Sequence, residues 1–318
     1  MAHKVVGPLK VFAGRSHPCL ADKICEILDV ARGKSKTIRF PNENLMVRFK
    51  ENVRGCDVFY LQTTAPPVNE HIMEMLIAID ALKHASAGRI TAVLPSYSYA
   101  RSDKKDKPRI SITARLMADM LQTAGADRVI TMDLHAPQIQ GFFHIPVDHL
   151  YAVPTMARFL EENIGDMSNC VLVAGDAGEA KEVGRYTNRL HLPMAIVDKR
   201  REDDSEKAKA THIIGDVKGK CAIIIDDECA TGGTLIEAAV FLLESGASSV
   251  RAAFTHPVLA NDAVAKLEAS PIEEFFFSDT IPLHGKKSGK FRQVSIADIF
   301  AKAIRRTHTG DSLSALFD

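Results

Sequence analysis

Short apolar runs alternate with amphipathic segments along the chain. Runs rich in β-branched and aromatic residues predict strands, and in chain order these are LKVFAG, DVFYLQT, RITAVLP, RVITMDL, CVLVAGD, PMAIVDK, CAIIIDD, VRAAFTH and EEFFFSDT. The longer segments NEHIMEMLIAIDALKHA, ITARLMADMLQTAGA and GTLIEAAVFLLESGA carry apolar residues three and four positions apart, which predicts amphipathic helices. This alternation predicts an α/β fold of mainly parallel sheets flanked by helices.

The two halves of the chain coarsely repeat one arrangement. The segments ITMDLHAPQIQGFF and IIIDDECATGGTL each place acidic residues at the end of an apolar strand. We therefore predict a divergent duplication, with an N-terminal domain at residues 1–150 and a C-terminal domain at residues 151–318. The charged stretches Arg101–Arg109 and Asp198–Ala210 lack apolar periodicity, which predicts loops.

Composition narrows the class of protein. The 318 residues include 40 basic and 40 acidic side chains, and this balance disfavours a dedicated nucleic-acid binder. The sequence has no apolar run of about 18 residues that would predict a membrane span, and its start does not resemble a signal peptide. The 6 cysteines form no CxxC pair, which disfavours a zinc site and predicts reduced thiols in the cytoplasm.

The stretch CAIIIDDECATGGTLIEAA carries the most specific chemistry. Asp226 and Asp227 end an apolar strand, where open α/β sheets bind their ligands. The segment Thr231–Thr234 then opens a helix, whose first N–H groups suit a phosphate that the glycines allow to approach closely. The carboxylates would repel a phosphate but accept hydrogen bonds from sugar hydroxyls, so the whole stretch predicts a sugar-phosphate site. A capped surface turn without a ligand is the alternative.

This stretch resembles the phosphoribosyl-diphosphate (PRPP) loop of the phosphoribosyltransferase-fold families. Further segments resemble ribose-phosphate diphosphokinases (PRPP synthetases) of the phosphate-regulated class, namely RITAVLPSYSYARSDKKDKPR, MDLHAPQIQGFFHIPVD, THIIGDVKGK and AIRRTHTGDSLSALF. The resemblance covers nearly the whole chain and implies two phosphoribosyltransferase-like domains. It implies transfer of the diphosphoryl group of ATP to the C1 hydroxyl of ribose 5-phosphate, giving PRPP and AMP. It also implies Mg²⁺ as cofactor and a homo-oligomer, a hexamer built from dimers.

The resemblance also assigns roles to individual residues. It implies that Lys199 and Arg201 form a catalytic basic pair on a mobile loop, and that Phe40 reaches the adenine site of a neighbouring subunit. The implied magnesium ligands are His135 and Asp176. The implied ATP-binding residues are Phe40, Asn42, Asn44, Arg101, Ser102, Asp103 and His135. The implied ribose-5-phosphate residues are Asp176, Asp226, Asp227, Ala230, Thr231, Gly232, Gly233 and Thr234. The implied residues of an altered allosteric site are Lys105, Arg109, Gln140, Asp148, Ser312 and Ser314.

The chain departs from the family pattern at several positions. Ala230 stands where the synthetases have an acidic residue, and Glu179 replaces a glycine beside Asp176, where a bulky anion crowds the sugar side. Asn44 replaces a glutamate that accepts from the adenine amino group. Further replacements, mostly in the allosteric site, are Ser102, Pro108, Pro137 and His149. We expect a changed affinity for the sugar phosphate and a weaker dependence on inorganic phosphate.

Two other functions stay open at this point. A non-catalytic paralogue that binds nucleotide and regulates an active synthetase fits the replacements at Ala230, Glu179 and Asn44. The presence of Lys199 and Arg201 argues against it. A phosphoribosyltransferase that consumes PRPP fits the spelling ATGGT, but the resemblance of the whole chain to the synthetases disfavours it. Product analysis separates the classes, since a synthetase releases AMP and a transferase makes a base-linked nucleotide.

Overall fold

The computed structural model describes residues 7–200 and 209–316. The strands are β1 (Leu9–Ala13), β2 (Ser35–Arg39), β3 (Leu45–Phe49), β4 (Asp57–Leu61), β5 (Arg89–Leu94), β6 (Arg128–Met132), β7 (Val147–Leu150), β8 (Cys170–Ala174), β9 (Met194–Arg200), β10 (Lys209–Ile214), β11 (Cys221–Glu228), β12 (Ser249–His256), β13 (Phe275–Ser278) and β14 (Phe291–Val294). The α-helices are α1 (Pro18–Leu28), α2 (Val68–His84), α3 (Thr113–Ala124), α4 (Val153–Ile164), α5 (Ala180–Leu190), α6 (Gly233–Glu244), α7 (Ala263–Ala269) and α8 (Ala297–Thr309). Short 3₁₀ helices span Pro137–Phe142 and Ser314–Leu316.

The chain forms two compact units. Unit 1 comprises Met1–Tyr151, Thr280–Pro282 and Ser295–Asp318. Unit 2 comprises Ala152–Asp279 and Leu283–Val294. No helix within the described ranges is long and apolar enough to cross a membrane.

Unit 1 is built on a parallel sheet of five strands in the order β1-β4-β5-β6-β7, with β2 and β3 forming a separate antiparallel hairpin. Every residue of β4 is buried, as expected where both faces of a parallel sheet are covered. Helix α2 buries Ile72, Met75 and Ile79, which follow one another at the spacing of three and four that predicted the helix. The apolar periodicity therefore fixes which helix face packs into the core of unit 1.

The last helix, α8, packs within unit 1 through a buried polar network. Arg89 donates to both carboxylate oxygens of Asp57, over 2.8 and 2.6 Å, and its third contact is the carbonyl of Thr307 at 2.8 Å. His308 lies 2.8 Å from the same carboxylate through Nδ1. Because these contacts join α8 to β4 and β5, the structure groups Ser295–Asp318 with the N-terminal residues, whereas the sequence prediction placed all of 151–318 in one C-terminal domain.

Unit 2 is built on a sheet of seven strands in the order β10-β9-β8-β11-β12-β13-β14. All neighbouring strands are parallel except β10, which runs antiparallel to β9 at the edge. The predicted loop at Asp198–Ala210 is wrong at both ends, because β9 continues to Arg200 and β10 begins at Lys209. Charged side chains are tolerated on an edge strand, which hid this pairing from the composition.

The predicted fold class is confirmed. Both units have a mainly parallel sheet flanked by helices, as in two phosphoribosyltransferase-like domains. In unit 2 the neighbouring strands β8 and β11 run in the same direction, with Ala174 opposite Ile225. Because parallel strands end at the same edge of a sheet, the loop after β8 and the loop after β11 lie side by side.

Candidate active site

The carboxyl edge of the unit 2 sheet gathers acidic side chains. Asp176 follows β8 after one glycine and is exposed. Asp226 and Asp227 lie near the end of β11 and are half-buried. The Oδ1 atom of Asp226 accepts from the backbone N–H of Asp227 at 2.8 Å and of Glu228 at 3.4 Å. These amides fix the orientation of the Asp226 carboxyl at the mouth of the loop that follows.

Burial and mutual repulsion raise the pKa of carboxyl groups in this cluster. Burial, followed by the charges of Glu179 and Asp227, raises the pKa of the Asp226 carboxyl well above its ordinary value. Burial also raises the pKa of Glu182, with a further rise from Asp227 and an opposing effect from Arg185. The cluster therefore favours ligands that bring hydroxyl donors or a cation.

Glu179 lies inside this cluster. It precedes α5, and its Oε2 atom accepts from the backbone N–H of Gly175 at 2.9 Å. Its own N–H donates to Oδ1 of Asp176 at 3.3 Å. The same oxygen accepts a shorter hydrogen bond, of 2.7 Å, from the N–H of Gly178. The carboxylate thus folds back over the end of β8 and directs its charge toward Asp226. The sequence prediction of a crowding anion at this place stays consistent with that geometry.

Sequence reasoning missed Glu182. It lies three residues after Glu179, on the same face of α5, and its Oε1 atom is buried without a hydrogen-bond partner in the described part of the chain. Its other oxygen lies 3.5 Å from Arg185. The spacing of three between two glutamates at a helix start was the available signal, but nothing in the sequence showed that Glu182 interacts with Asp227.

The loop Thr231–Thr234 joins β11 to the start of α6. Gly232 is the N-terminal cap, with φ at 79° and a left-handed conformation. The N–H groups of Thr231, Gly233 and Thr234 have no partner among the described residues, as expected for the first turn of a helix. Both threonines are exposed, so two hydroxyls and several amides face solvent together. This arrangement binds a phosphate or another small oxyanion.

Ala230 contributes to the loop through its backbone. Its carbonyl accepts from the N–H of Ala260 at 2.7 Å, and the preceding Cys229 is held in the same way by Leu259 at 2.9 Å. These bonds tie the loop to the segment after β12. The methyl group of Ala230 offers no acceptor, so the acidic contact that the family pattern supplies at this position is missing.

In unit 1, the predicted adenine-side residues lie together in the turn of the β2–β3 hairpin. The turn is closed by Phe40 and Asn44, whose backbones bond over 2.9 Å, and Oδ1 of Asn42 accepts from the N–H of Asn44 at 3.3 Å. The Phe40 ring is 42% exposed at the tip. Asn44 also lines an open cavity of about 480 Å³ with Glu70 and Met73. The hairpin therefore presents an aromatic ring and an amide outward.

The segment after β5 carries the other predicted ATP residues. Arg101 is exposed, and Asp103 accepts from the side-chain amide of Gln138 at 3.2 Å. Ser102 is engaged in structure: its hydroxyl accepts from the N–H of Thr113 at 3.3 Å, and its carbonyl accepts from Ala114 at 3.2 Å. These bonds satisfy the first amides of α3, so Ser102 caps that helix across the intervening loop.

His135 stands three residues beyond the end of β6 and is exposed. It belongs to unit 1, whereas Asp176, the other predicted magnesium ligand, belongs to unit 2. Within the described residues, no group of three or more His, Cys, Asp or Glu side chains is arranged to hold a metal ion. A metal at this site would therefore take part of its ligands from substrate or water.

The predicted allosteric residues of unit 1 show several local contacts. Asp148 is paired with Arg128 over 2.7 Å, and the Gln140 side chain contacts the Pro137 carbonyl at 2.9 Å and His149 at 3.3 Å. The hydroxyls of Ser312 and Ser314 lie 3.1 Å apart. Lys105 and Arg109 are exposed in the loop before α3.

Lys199, one member of the predicted catalytic pair, lies near the end of β9. Lys199 is not in a loop, because its backbone pairs with Ala210 of β10. Arg201 lies outside the described residues. The strand pairing that extends β9 thus corrects the predicted loop for Lys199.

Comparison with known proteins identifies the family. The model for the N-terminal domain of ribose phosphate pyrophosphokinase matches residues 9–125, and the model for the phosphoribosyl synthetase-associated domain matches residues 205–318. The ribose-phosphate pyrophosphokinases of Clostridium acetobutylicum and Bacillus subtilis are 48% and 46% identical over 310 and 311 residues, covering 97% of this chain and 97% of each relative. The crystal structure of phosphoribosylpyrophosphate synthetase from Mycobacterium smegmatis matches with a TM-score of 0.89 at 42% identity, over 95% of this chain and 99% of that chain. The resemblance expected from the sequence is confirmed: this chain belongs to the ribose-phosphate pyrophosphokinase family.

Proposed function

We propose that this chain transfers the β,γ-diphosphoryl group of ATP to the C1 hydroxyl of ribose 5-phosphate, giving PRPP and AMP. The observation that carries the proposal is the loop after β11, where a carboxylate pair is followed at once by unpartnered helix N-terminal amides. This order suits the two chemical ends of a sugar phosphate. The names of the relatives supply the same activity.

We assign the 5-phosphate to the N–H groups of Thr231, Gly233 and Thr234 and to the two threonine hydroxyls. Helix N-termini favour anions through their free amides and through the helix dipole. We assign the ribose hydroxyls to Asp226 and Asp227. Burial, followed by the charges of Glu179 and Asp227, raises the pKa of Asp226, so its carboxyl accepts hydrogen bonds from ribose hydroxyls and in its protonated form also donates one.

We assign the nucleotide to the predicted residues of unit 1. The outward ring of Phe40 suits stacking on an adenine, and an exposed ring of this kind gains most when a second subunit brings the nucleotide to it. The guanidinium of Arg101 suits the ATP phosphates. We propose that the chain forms a homo-oligomer, namely a hexamer built from dimers. We also propose that the enzyme is cytoplasmic.

Magnesium fits the residues present. The exposed Asp176 carboxylate uses Oδ1 for the backbone amides of Gly178 and Glu179, and Oδ2 stays available to an oxygen-seeking cation. Mg²⁺ is commonly held by one or two protein carboxylates plus substrate phosphates, which agrees with the lack of a three-ligand cluster among the described side chains. We propose that Asp176 and His135 hold it. When bound, the metal would neutralise charge on the diphosphoryl group.

The protein supplies positioning and charge to the transfer itself. We propose that Lys199 and Arg201 stabilise the negative charge that develops on the transferring group. The loop after β11 orients the C1 hydroxyl by holding the sugar at its 5-phosphate and at its ring hydroxyls. Fixing both reactants in this way accounts for much of the acceleration of a phosphoryl transfer.

The test is AMP release from ATP, Mg²⁺ and ribose 5-phosphate. We expect Lys199→Ala to abolish release, because the transition state loses a cationic partner. The matched control is Lys266→Ala. This exposed lysine of unit 2 pairs with Asp262, the N-terminal cap of its helix, so the variant should keep full activity. Equal loss in both variants, or an inert wild type, would contradict the proposal. An inert wild type that activates an added family synthetase would favour the non-catalytic paralogue.

A further inference from the structure

Two cysteines face each other at the amino edge of the unit 2 sheet, opposite the edge that carries the active site. Cys170 is the first residue of β8 and Cys221 is the first residue of β11, and the two are register partners in the parallel ladder. Neighbouring strands lie about 4.8 Å apart. This spacing falls within the Cα separations of about 4.4–6.8 Å that disulfides span. Register partners project from the same face of the sheet, so the two cysteine side chains are neighbours.

An arginine on the next strand donates a hydrogen bond to Cys221. Arg251 of β12 donates from Nη1 to Sγ of Cys221 at 3.1 Å. The guanidinium is held in place by Glu273 and Glu274, each at 3.2 Å. The thiolate is the nucleophilic form of cysteine, and Arg251 lies beside the sulfur on which that charge would develop. The same cation disfavours a metal ion at these sulfurs.

The two thiols differ in environment. Cys221 is half-buried, so a small oxidant reaches it, whereas Cys170 is only 3% exposed. Burial, followed by the neighbouring Cys221, raises the pKa of the Cys170 thiol to about 12. Cys221 is therefore the sulfur that reacts first, and Cys170 is the one placed to resolve the product.

We propose that Cys170 and Cys221 form a reversible redox site that a hydroperoxide converts to a disulfide between β8 and β11. The Cys221 thiolate attacks a peroxide oxygen, the O–O bond breaks, and a sulfenic acid and a hydroxide ion result. The hydroxide takes the proton of Cys170, whose sulfur then displaces hydroxide from the sulfenic sulfur and forms the S–S bond. In total, two thiols and one hydrogen peroxide give one disulfide and two water molecules. A small-molecule dithiol reverses the reaction by exchange.

The disulfide would leave the active site in place. Cys221 and Asp226 lie five residues apart on β11, which is roughly 16 Å along a strand at about 3.3 Å per residue. The cross-link joins strands that are already paired, so the loop Thr231–Thr234 keeps its geometry. Oxidation should therefore raise resistance of unit 2 to unfolding, since it shortens the unfolded chain between residues 170 and 221, while substrate affinity is kept.

The experiment treats the full chain with hydrogen peroxide and maps the cysteines by peptide mass spectrometry. We expect a linked Cys170–Cys221 peptide pair that lacks two hydrogen atoms and disappears with dithiothreitol. Cys221→Ser should abolish the link, Arg251→Gln should slow it several-fold, and Cys19→Ser, which removes an exposed cysteine, should leave it unchanged. Oxidation confined to Cys19, or a linked peptide of other composition, would overturn the proposal. The wild-type map decides the matter even where a variant fails to fold.

Discussion

Gly232 is the position where the loop geometry makes the sharpest demand on the sequence. Its φ of 79° lies in the left-handed region, which costs a residue with a Cβ about 1–2 kcal/mol. A Cβ there would also lie 2.8 Å from Cδ2 and 3.2 Å from Cγ of Leu267, a residue with no exposed surface. Overpacking of a core costs about 1–3 kcal/mol. Gly232→Ala should therefore lower the free energy of unfolding by about 2–5 kcal/mol.

The neighbouring glycine provides a matched control. A Cβ on Gly233 would meet only Oγ1 of Thr231, at 3.9 Å, and Gly233 is the first residue of α6. Alanine is the better helix former by up to about 1 kcal/mol, so Gly233→Ala should leave stability unchanged or slightly raised. Its methyl group stands where a phosphate would approach the amide, so it should still weaken the binding of ribose 5-phosphate.

Urea unfolding and calorimetric titration with ribose 5-phosphate test this pair together. We expect Gly232→Ala to lose both stability and binding, and Gly233→Ala to lose binding alone. Equal stability of the two variants would refute the argument from backbone conformation. Full binding by a stable Gly233→Ala protein would refute the assignment of the phosphate to this loop.

Three further predictions concern the acidic cluster, the α8 network and regulation. Glu179→Gly should tighten ribose 5-phosphate, seen as a lower KM. Because the pKa of Asp226 is raised in the folded state, its contribution to stability is present below the ordinary carboxyl pKa and is lost as pH rises through the raised value. This variant should therefore also flatten the decline in the free energy of unfolding, measured with urea, above about pH 4. Asp57→Asn leaves a largely buried arginine without its charge partner and should lower the free energy of unfolding by about 3 kcal/mol, whereas an unchanged urea midpoint would argue against the network. With Pro108 and Pro137 in the predicted allosteric site, activity should respond weakly to added phosphate, and a steep phosphate requirement in a rate assay would contradict this.

Local patterns in the sequence predicted most of the sheet strands because parallel strands are continuous apolar runs. The same logic failed for the β2–β3 hairpin and for β7, β10 and β14, which are short or mix polar with apolar residues. These strands exist through pairing with a partner, and their composition does not reveal it. The return of α8 to unit 1 was also beyond reach, because the contact between Asp57 and His308 joins positions far apart in the chain.

The candidate site divides in the same way. The carboxylates and the Thr231–Thr234 loop were predictable, since strand, turn chemistry and helix start follow one another within a short segment. The charge interactions of Glu179 with Asp226 and of Glu182 with Asp227 depend on how α5 packs against β8 and β9, beside the end of β11. The hydrogen bonds of Ser102 to the first amides of α3 were also not predictable, because they join residues on either side of the intervening loop.

Product stoichiometry is the most direct test of the proposed activity. The purified chain is incubated with ATP, Mg²⁺ and ribose 5-phosphate, and the products are quantified by phosphorus NMR and chromatography. Transfer of a diphosphoryl group predicts equal amounts of AMP and PRPP, with no AMP when ribose 5-phosphate is omitted. Formation of ADP with ribose 1,5-bisphosphate, or binding of both substrates without turnover, would contradict it.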